Sequence, residues 1–567
     1  MKRLLPLLMM LAATLTLSAQ QNVPSFPTAE GYGMYAKGGR GGKVAIVTNT
    51  DDYLTTETPI VGSLRWAFAQ YPDQPLTVVF QTSGTIVLKS DLRVKRNFLT
   101  VAGQTAPGDG IFIRGAKVNF GGSTHLVLRH LRMRVGLTAD TTFIDGGAIG
   151  LENASNCIID HCTFGWSSEE NMTMYDNTLT TVQWSIVHEG LYDTGHPKGV
   201  RGYGSQWGGQ TATYHHNLLA HNYSRSPRFN GARSNDARVL MDFINNVNYN
   251  WGKSNSAYGA DIEGGTAVFQ RWHRVNFMNN YYKPGPARPG TSSSFFVQSS
   301  FSSAQKVDQI AQWYMTGNIM EGTANADKTT NNYLGLDASA YTAKGISADA
   351  LRSDTMFVTP NPVNMETALE AYESVLAKAG AMPRDTIDRR VVNEVRTGTA
   401  AAKGKQGSWG IIDSPFAVEG YPDYNSYNTY VDADQDGMDD AWETANGLNP
   451  ANPNDRNYLT VSGYTALEVY LNSLVSEVIE HNFYTGTELV SHPSTHIYPT
   501  VVENYLTINS SSIPESARIF NMSGVMIHST KLGAHTQIDT SSLAGGCYLL
   551  EITDRDGYRE QLKFFKK

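Results

Sequence analysis

The chain has 567 residues, 41% of them hydrophobic and 17% charged, with a net charge of -8. That length fits several domains, or one long repetitive domain with appendages. The mild acidity argues against a nucleic-acid binder, which carries a basic stripe, but allows a locally cationic site for an acidic ligand. Three cysteines are too few for a disulfide framework.

The N-terminus "MKRLLPLLMMLAATLTLSAQ" sets Lys2 and Arg3 before an apolar stretch that ends in small residues. It reads as a signal peptide over 1–19; a spanning helix needs a longer apolar run. No later segment is apolar enough to cross a bilayer, so the mature chain is expected to be soluble or held at the cell surface.

From about Leu76 to Met320, short β-rich runs recur, among them "LTVVFQTSGTIVL", "NCIIDHCTFGW", "ATYHHNLLAHN" and "HRVNFMNNYYK". Their spacing, roughly 25 to 35 residues, is that of repeat architectures. Each run is apolar at alternate positions and so buries one face. An antiparallel sandwich and a parallel β-helix both suit such runs. Sparse hairpin signals favour the solenoid. Asn217, Asn246, Asn280 and Asn318 recur where strands end. Asn tolerates left-handed backbone, and stacked turns would let its side chains form a ladder. Cys157 and Cys162 read as buried thiols, with a pairing between them as the alternative.

Beyond Met320 the pattern changes. "NMETALEAYESVLAKAGA" places Leu369, Tyr372 and Leu376 at helical spacing and ends at Gly380, predicting a helix packed on the solenoid. "GYPDYNSYNTY" looks like a linker. "DADQDGMDDAWE", Asp432 to Glu443, then has the ligand spacing of a twelve-residue calcium loop. Asp432, Asp434, Asp436, Asp440 and Glu443 supply carboxylates, Met438 a backbone carbonyl, and Gly437 the sharp turn. The residues before it do not form a helix, so the loop resembles those of dockerin-like or thrombospondin-type-3-like modules. A structural Ca2+ and a stiffened spacer are expected. From about His492 a β-rich unit of short alternating strands predicts a small sandwich.

The ordered motifs "AEGYGMYAKGGRGGKVAIVTNTDDY", "GSLRWAFAQ", "TVAGQTAPGDGIFIRG", "IIDHCTFGWSSEEN" and "RSPRFNGAR" resemble the pectate lyase superfamily, most of all secreted polysaccharide lyases of Bacteroidota. The resemblance spans roughly Pro24 to Gly404. It implies a right-handed parallel β-helix and calcium-assisted β-elimination of α-1,4-linked polygalacturonate, giving 4,5-unsaturated products. It assigns Arg225 as Brønsted base. Lys198 in "GHPKG" and Arg228 become grips on substrate carboxylates, although the family's second arginine falls where this chain has Asn230. Asp145 and Glu170 become ligands of a catalytic Ca2+. Two further acidic positions of the family are Met174 and Phe143 here, with Glu169 or Asp176 as candidates to compensate. Asp160-His161 matches the family and reads as a buried structural pair.

The tail "HIYPTVVENYLTIN…GGCYLLEITDRDGYREQLKFFKK" resembles the C-terminal sorting domain of type IX secretion, implying export and contact with that machinery. The expected organisation is an all-β chain: signal peptide 1–19, lyase 20–415, linker 416–430, calcium-loop module 431–480 and sorting tail 490–567. A monomer acting on an acidic polysaccharide is expected. Two alternatives stay open. One is a pectin lyase on methylated chains, using Trp166, Trp207 and Arg201. The other is a non-catalytic pectin-binding surface protein.

Overall fold

The computed structural model describes residues 23–567 apart from 139–142, 234–235, 254, 265–270, 289–294, 323–325, 362, 428, 482, 484–494, 511–513, 523, 533–536 and 555–558. The expected signal peptide lies outside the described residues. Among those described, no helix is long and apolar enough to cross a membrane. The chain divides into two compact units, Met1–Tyr484 and Thr485–Lys567.

The first unit is a right-handed parallel β-helix. One sheet of ten strands and two of nine run its length, and neighbouring strands within each sheet come from successive coils. Alternation along each strand explains the core. Leu128, Ile159, Val182, Tyr214, Phe243, Phe277 and Met315 occupy one register row of the ten-stranded sheet and point inward. The Phe243 and Phe277 rings stack with centroids 5.2 Å apart. Parallel in-register pairing buries like against like, so one apolar column serves every coil.

A buried asparagine column turns the corner after this sheet. The backbone N–H groups of Asn217, Asn246 and Asn280 donate to the side-chain oxygens of Asn246, Asn280 and Asn318 at 2.9–3.0 Å. Each side-chain amide also donates to a carbonyl of the preceding coil, as Asn246 Nδ2 does to Tyr214 O at 2.9 Å. The left-handed residue of the turn is the one before each ladder position: His216, Asn245, Asn279 and Gly317 have φ of 53°, 56°, 53° and 69°. Asn at the ladder thus serves its hydrogen bonds, and its neighbour takes the bend. Cys157 and Cys162 are free, buried thiols.

After Met320 one expectation is met and two need correction. The helix Ala368–Lys378 forms with a Thr367/Glu370 capping box and packs on the solenoid through Ala368, Ala371, Val375, Leu376 and Tyr372, with Leu369 alone of the expected triplet facing out, 59% exposed. The small alanines set its contact face. The stretch expected to be a linker lies along the solenoid instead. Tyr421 and Tyr424 pack with Phe112, Trp166 and Leu137, and Tyr424 Oη donates to Asp385 at 2.6 Å. Aromatic residues spaced for burial outweigh the polar composition around them. Nor is the calcium-loop module a spacer. Met438, Leu467, Tyr470 and Leu471 share a core with Val79 and Ala102 of the first coils. Arg40 on the solenoid pairs with Glu468 at 2.7 Å.

In the second unit, a three-stranded antiparallel sheet and a five-stranded, mostly antiparallel sheet enclose Leu506, Ile519, Ile538, Leu550 and Phe564. This is the small β-sandwich expected from the alternating strands.

Candidate functional site

Of the lyase-site residues singled out by sequence, Glu170 and Arg228 lie on strands of one nine-stranded sheet, Arg225 lies beside it, and Asp145 and Lys198 lie in loops. Strand Glu170–Tyr175 pairs with Tyr203–Trp207, which pairs with Arg228–Phe229. Glu170 lies opposite Tyr203, and Tyr203 bridges to Ser224. Glu170, Tyr203 and the Ser224-Arg225 step therefore fall in one row across the sheet. Arg225 is held in the left-handed region at φ 62°, a conformation a side-chain-bearing residue adopts at a cost and keeps where its surroundings impose it. Its carbonyl accepts from Ser205 N at 2.7 Å.

The Arg225 guanidinium lies over the Tyr203 ring, its carbon 4.0 Å from the centroid, and pairs with the Glu170 carboxylate. Burial pulls its pKa below the usual guanidinium range; the charge of Arg228 adds to this, and Tyr258 and Glu169 oppose it. Arg228 reaches Asp261 at 3.8 Å and lies near the Tyr258 ring. Lys198 is exposed at the rim, with Nζ 3.3 Å from Glu169.

Glu169 is the hub that the sequence reading underweighted. Its carboxylate meets His196 Nε2 at 3.1 Å, Lys198 at 3.3 Å and Arg201 at 3.4 Å. His196 also meets Asp145 at 3.2 Å and accepts from Lys198 N through Nδ1 at 3.0 Å, so its Nε2 carries the proton. The motif "GHPKG" thus contributes its histidine as well as its lysine. Phe143 packs on the His196 ring, and Met174 is fully buried in the solenoid core. Neither position offers a ligand. Met174 lies an even number of residues from inward-facing Met172, so strand alternation turns it inward.

One ligand atom from each of Asp145, Glu169 and His196 lies within 4.8 Å of the others. Asp145, Glu169 and Glu170 are hard oxygen donors, the chemistry calcium takes. The adjoining groove, about 550 Å³, is lined by Lys117, Glu170, Asp176, Gln206, Arg233 and Glu263. Arg233 donates to the Asn230 side chain at 2.7 Å. A guanidinium thus stands beside the position where the family's second arginine was expected. Trp166 and Trp207 are both fully buried, one donating to Glu189 and the other packed on Tyr214, so neither faces the groove. Asp160 is buried between Arg129 (2.7 Å), His161 (2.8 Å) and Gln183 (2.8 Å), as a structural pair would be.

The calcium-loop carboxylates converge elsewhere in the same unit. Asp432, Asp434 and Asp436 place ligand oxygens within 4.8 Å of one another, and Asp436, Glu443 and Asp455 do the same. Burial first, then neighbouring carboxylates, push Asp436 to about 7 and Glu443 to about 8. Asp455 was not singled out by loop spacing. Asp440 was, but its Oδ1 accepts from Ala433 N at 2.9 Å.

Comparison with known proteins bears on both units. Residues 496–567 match the family described as "Secretion system C-terminal sorting domain". "Probable pectate lyase C" of Aspergillus terreus is 30% identical over 458 residues, covering 80% of this chain and 94% of the relative. Its counterpart in Aspergillus flavus is 31% identical over 453 residues, again 80% and 94%. Among solved structures, the cedar pollen allergen Jun a 1 aligns with a TM-score of 0.41 at 17% identity, over 62% of this chain and 93% of its own. A pectate lyase from Bacillus sp. N165, solved with trigalacturonate, gives 0.38 at 17%, over 62% and 98%.

Proposed function

Because this chain belongs to the pectate lyase family and, with its sorting domain, is secreted or displayed at the cell surface, we propose that the row Glu170–Tyr203–Arg225 carries out β-elimination on α-1,4-linked polygalacturonate. The observation that carries the reading is the state of Arg225: half-buried, stacked on Tyr203, and drawn toward lower pKa by desolvation. A guanidinium in water is a poor base, with a pKa above about 12. Desolvation favours its neutral form, which can accept a proton.

The proposed reaction breaks the C5–H bond of a uronate. Arg225 takes the proton, the C–H electron pair forms the C4–C5 double bond, and the C4–O bond breaks with its pair on the leaving glycosidic oxygen, which takes a proton from solvent water. Arg233 in the groove, with Arg228 and Lys198 outside its lining, binds uronate carboxylates as forked or point cations. Arg201 and His196 fix the Glu169 carboxylate. Asp145, Glu169 and Glu170 would hold calcium, which supplies Lewis-acid stabilisation of the charge developing on the substrate carboxylate. Buried Trp166 and Trp207 leave the methylated-pectin alternative without the two tryptophans it calls on. The test is ultraviolet absorbance of the unsaturated product, on polygalacturonate and on fully methylated pectin. Absorbance on the first alone is expected. Absorbance confined to the second would overturn the substrate assignment.

A further inference from the structure

We infer that the module after the solenoid holds one calcium ion in a cage that Asp455 closes from outside the twelve-residue loop, and that this ion seats the module on the first coils. The inference does not rest on the lyase reading. It starts from carboxylate oxygens that have no hydrogen-bond partner although they are buried. These are both oxygens of Asp434, both of Glu443, Asp436 Oδ2 and Asp455 Oδ1. Asp436 and Glu443 are 0% exposed and Asp455 is 1% exposed. A buried carboxylate without a donor is costly, and such groups are normally paired or ligate a metal.

The other oxygens shape the cage. Asp432 accepts from Asp436 N at 3.0 Å and from Gly437 N at 2.9 Å. Asp436 Oδ1 accepts from Met438 N at 3.0 Å, and Asp455 Oδ2 from Asn449 N at 2.8 Å. Asp436 and Asp455 thus each use one oxygen on the backbone and leave the other for the cage. Asp436 belongs to both ligand groups, so Asp432, Asp434, Glu443 and Asp455 converge around it. Asp440 braces the loop through Ala433 instead. All-oxygen ligation, with several carboxylates and room for a bidentate Glu443, fits calcium better than zinc or magnesium.

The same residues touch the solenoid. A Cβ on Gly437 would stand 3.1 Å from Val44 and 3.5 Å from Val79. The Met438 side chain lies in the core shared with Val79 and Ala102. Arg456, next to Asp455, donates to Gly42 O at 3.2 Å. Removing the ion leaves the ligands repelling one another at the seat of the contact.

The experiment uses the mature full-length protein, stripped with EDTA. Calcium binding is read by calorimetry, and terbium by luminescence sensitised through Trp442, the neighbour of Glu443. Asp455→Asn should weaken calcium binding at this site at least tenfold and quench the terbium signal. Asp440→Asn should change affinity less than threefold. Stripping should lower the wild-type melting temperature and open 431–480 to protease, with calcium reversing both. Should Asp455→Asn fold poorly, Glu443→Gln and the wild-type stripping series give the same readout. Wild-type affinity in Asp455→Asn would overturn the cage. Unchanged melting and proteolysis on stripping would overturn the seating role.

Discussion

The guanidinium of Arg225 and the ring of Tyr203 face each other at 4.0 Å, and Tyr203 is the register partner of Glu170. The sheet therefore fixes the spacing between the proposed base, its aromatic support and an acidic ligand. Stacking on the ring fixes the plane of the guanidinium. Tyr203→Leu should lower kcat about tenfold while KM changes little, because the ring positions Arg225 without binding the polymer. Steady-state rates on polygalacturonate check this.

Lys198 is exposed and meets Glu169 at the rim. A rim cation contributes about 1 kcal/mol or less and is screened by salt. Lys198→Ala should raise KM a few-fold at low ionic strength, with kcat nearly unchanged, and the difference from wild type should shrink at 0.5 M salt. Rates measured across a salt series decide it.

Asn246 is fully buried in the ladder. It accepts from Asn217 N and donates to Tyr214 O and to the Asn280 side chain. Asn246→Ala leaves a buried N–H and a buried carbonyl unpaired, at about 1–3 kcal/mol each. The melting temperature should drop by several degrees. Asn246→Asp keeps the shape but loses the amide donor, and should not restore it.

Much of this fold was legible in the sequence, for a physical reason. Period-two alternation and recurrent Asn at strand ends are imposed by parallel stacking itself, so Asn217, Asn246, Asn280 and Asn318 stood out. Their position in the turn did not, because any residue with a tolerable left-handed cost can precede them, as His216 and Gly317 do. The calcium loop was visible because its ligands lie within twelve residues. Asp455 was not, because it joins the cage through chain folding. Glu169 was outshone by Glu170, since only three-dimensional packing brings His196, Lys198 and Arg201 to it. The pectin-lyase alternative calls on Trp166 and Trp207, yet both are fully buried, where large apolar rings gain most.

Asp242 gives the solenoid a pH signature. It is buried, and burial raises its pKa to about 6 although Asn276 and Thr213 donate to it. The folded state keeps a proton that the unfolded chain releases near pH 4. Stability from this group is therefore present at low pH and is lost as pH rises through 6. The full effect is on the order of 3 kcal/mol. Asp242→Asn should flatten the decline between about pH 4 and 6 and be more stable than wild type at pH 8. Urea midpoints across that range measure it.

Removal of the C5 proton by Arg225 is read most directly from the rate of unsaturated-product absorbance on polygalacturonate for wild type and Arg225→Ala, with polymer binding followed in parallel. A general base contributes about 10²–10⁴-fold. Arg225→Ala should lose activity by at least that order and retain binding. A variant that keeps more than a tenth of the wild-type rate would show that Arg225 is not the base.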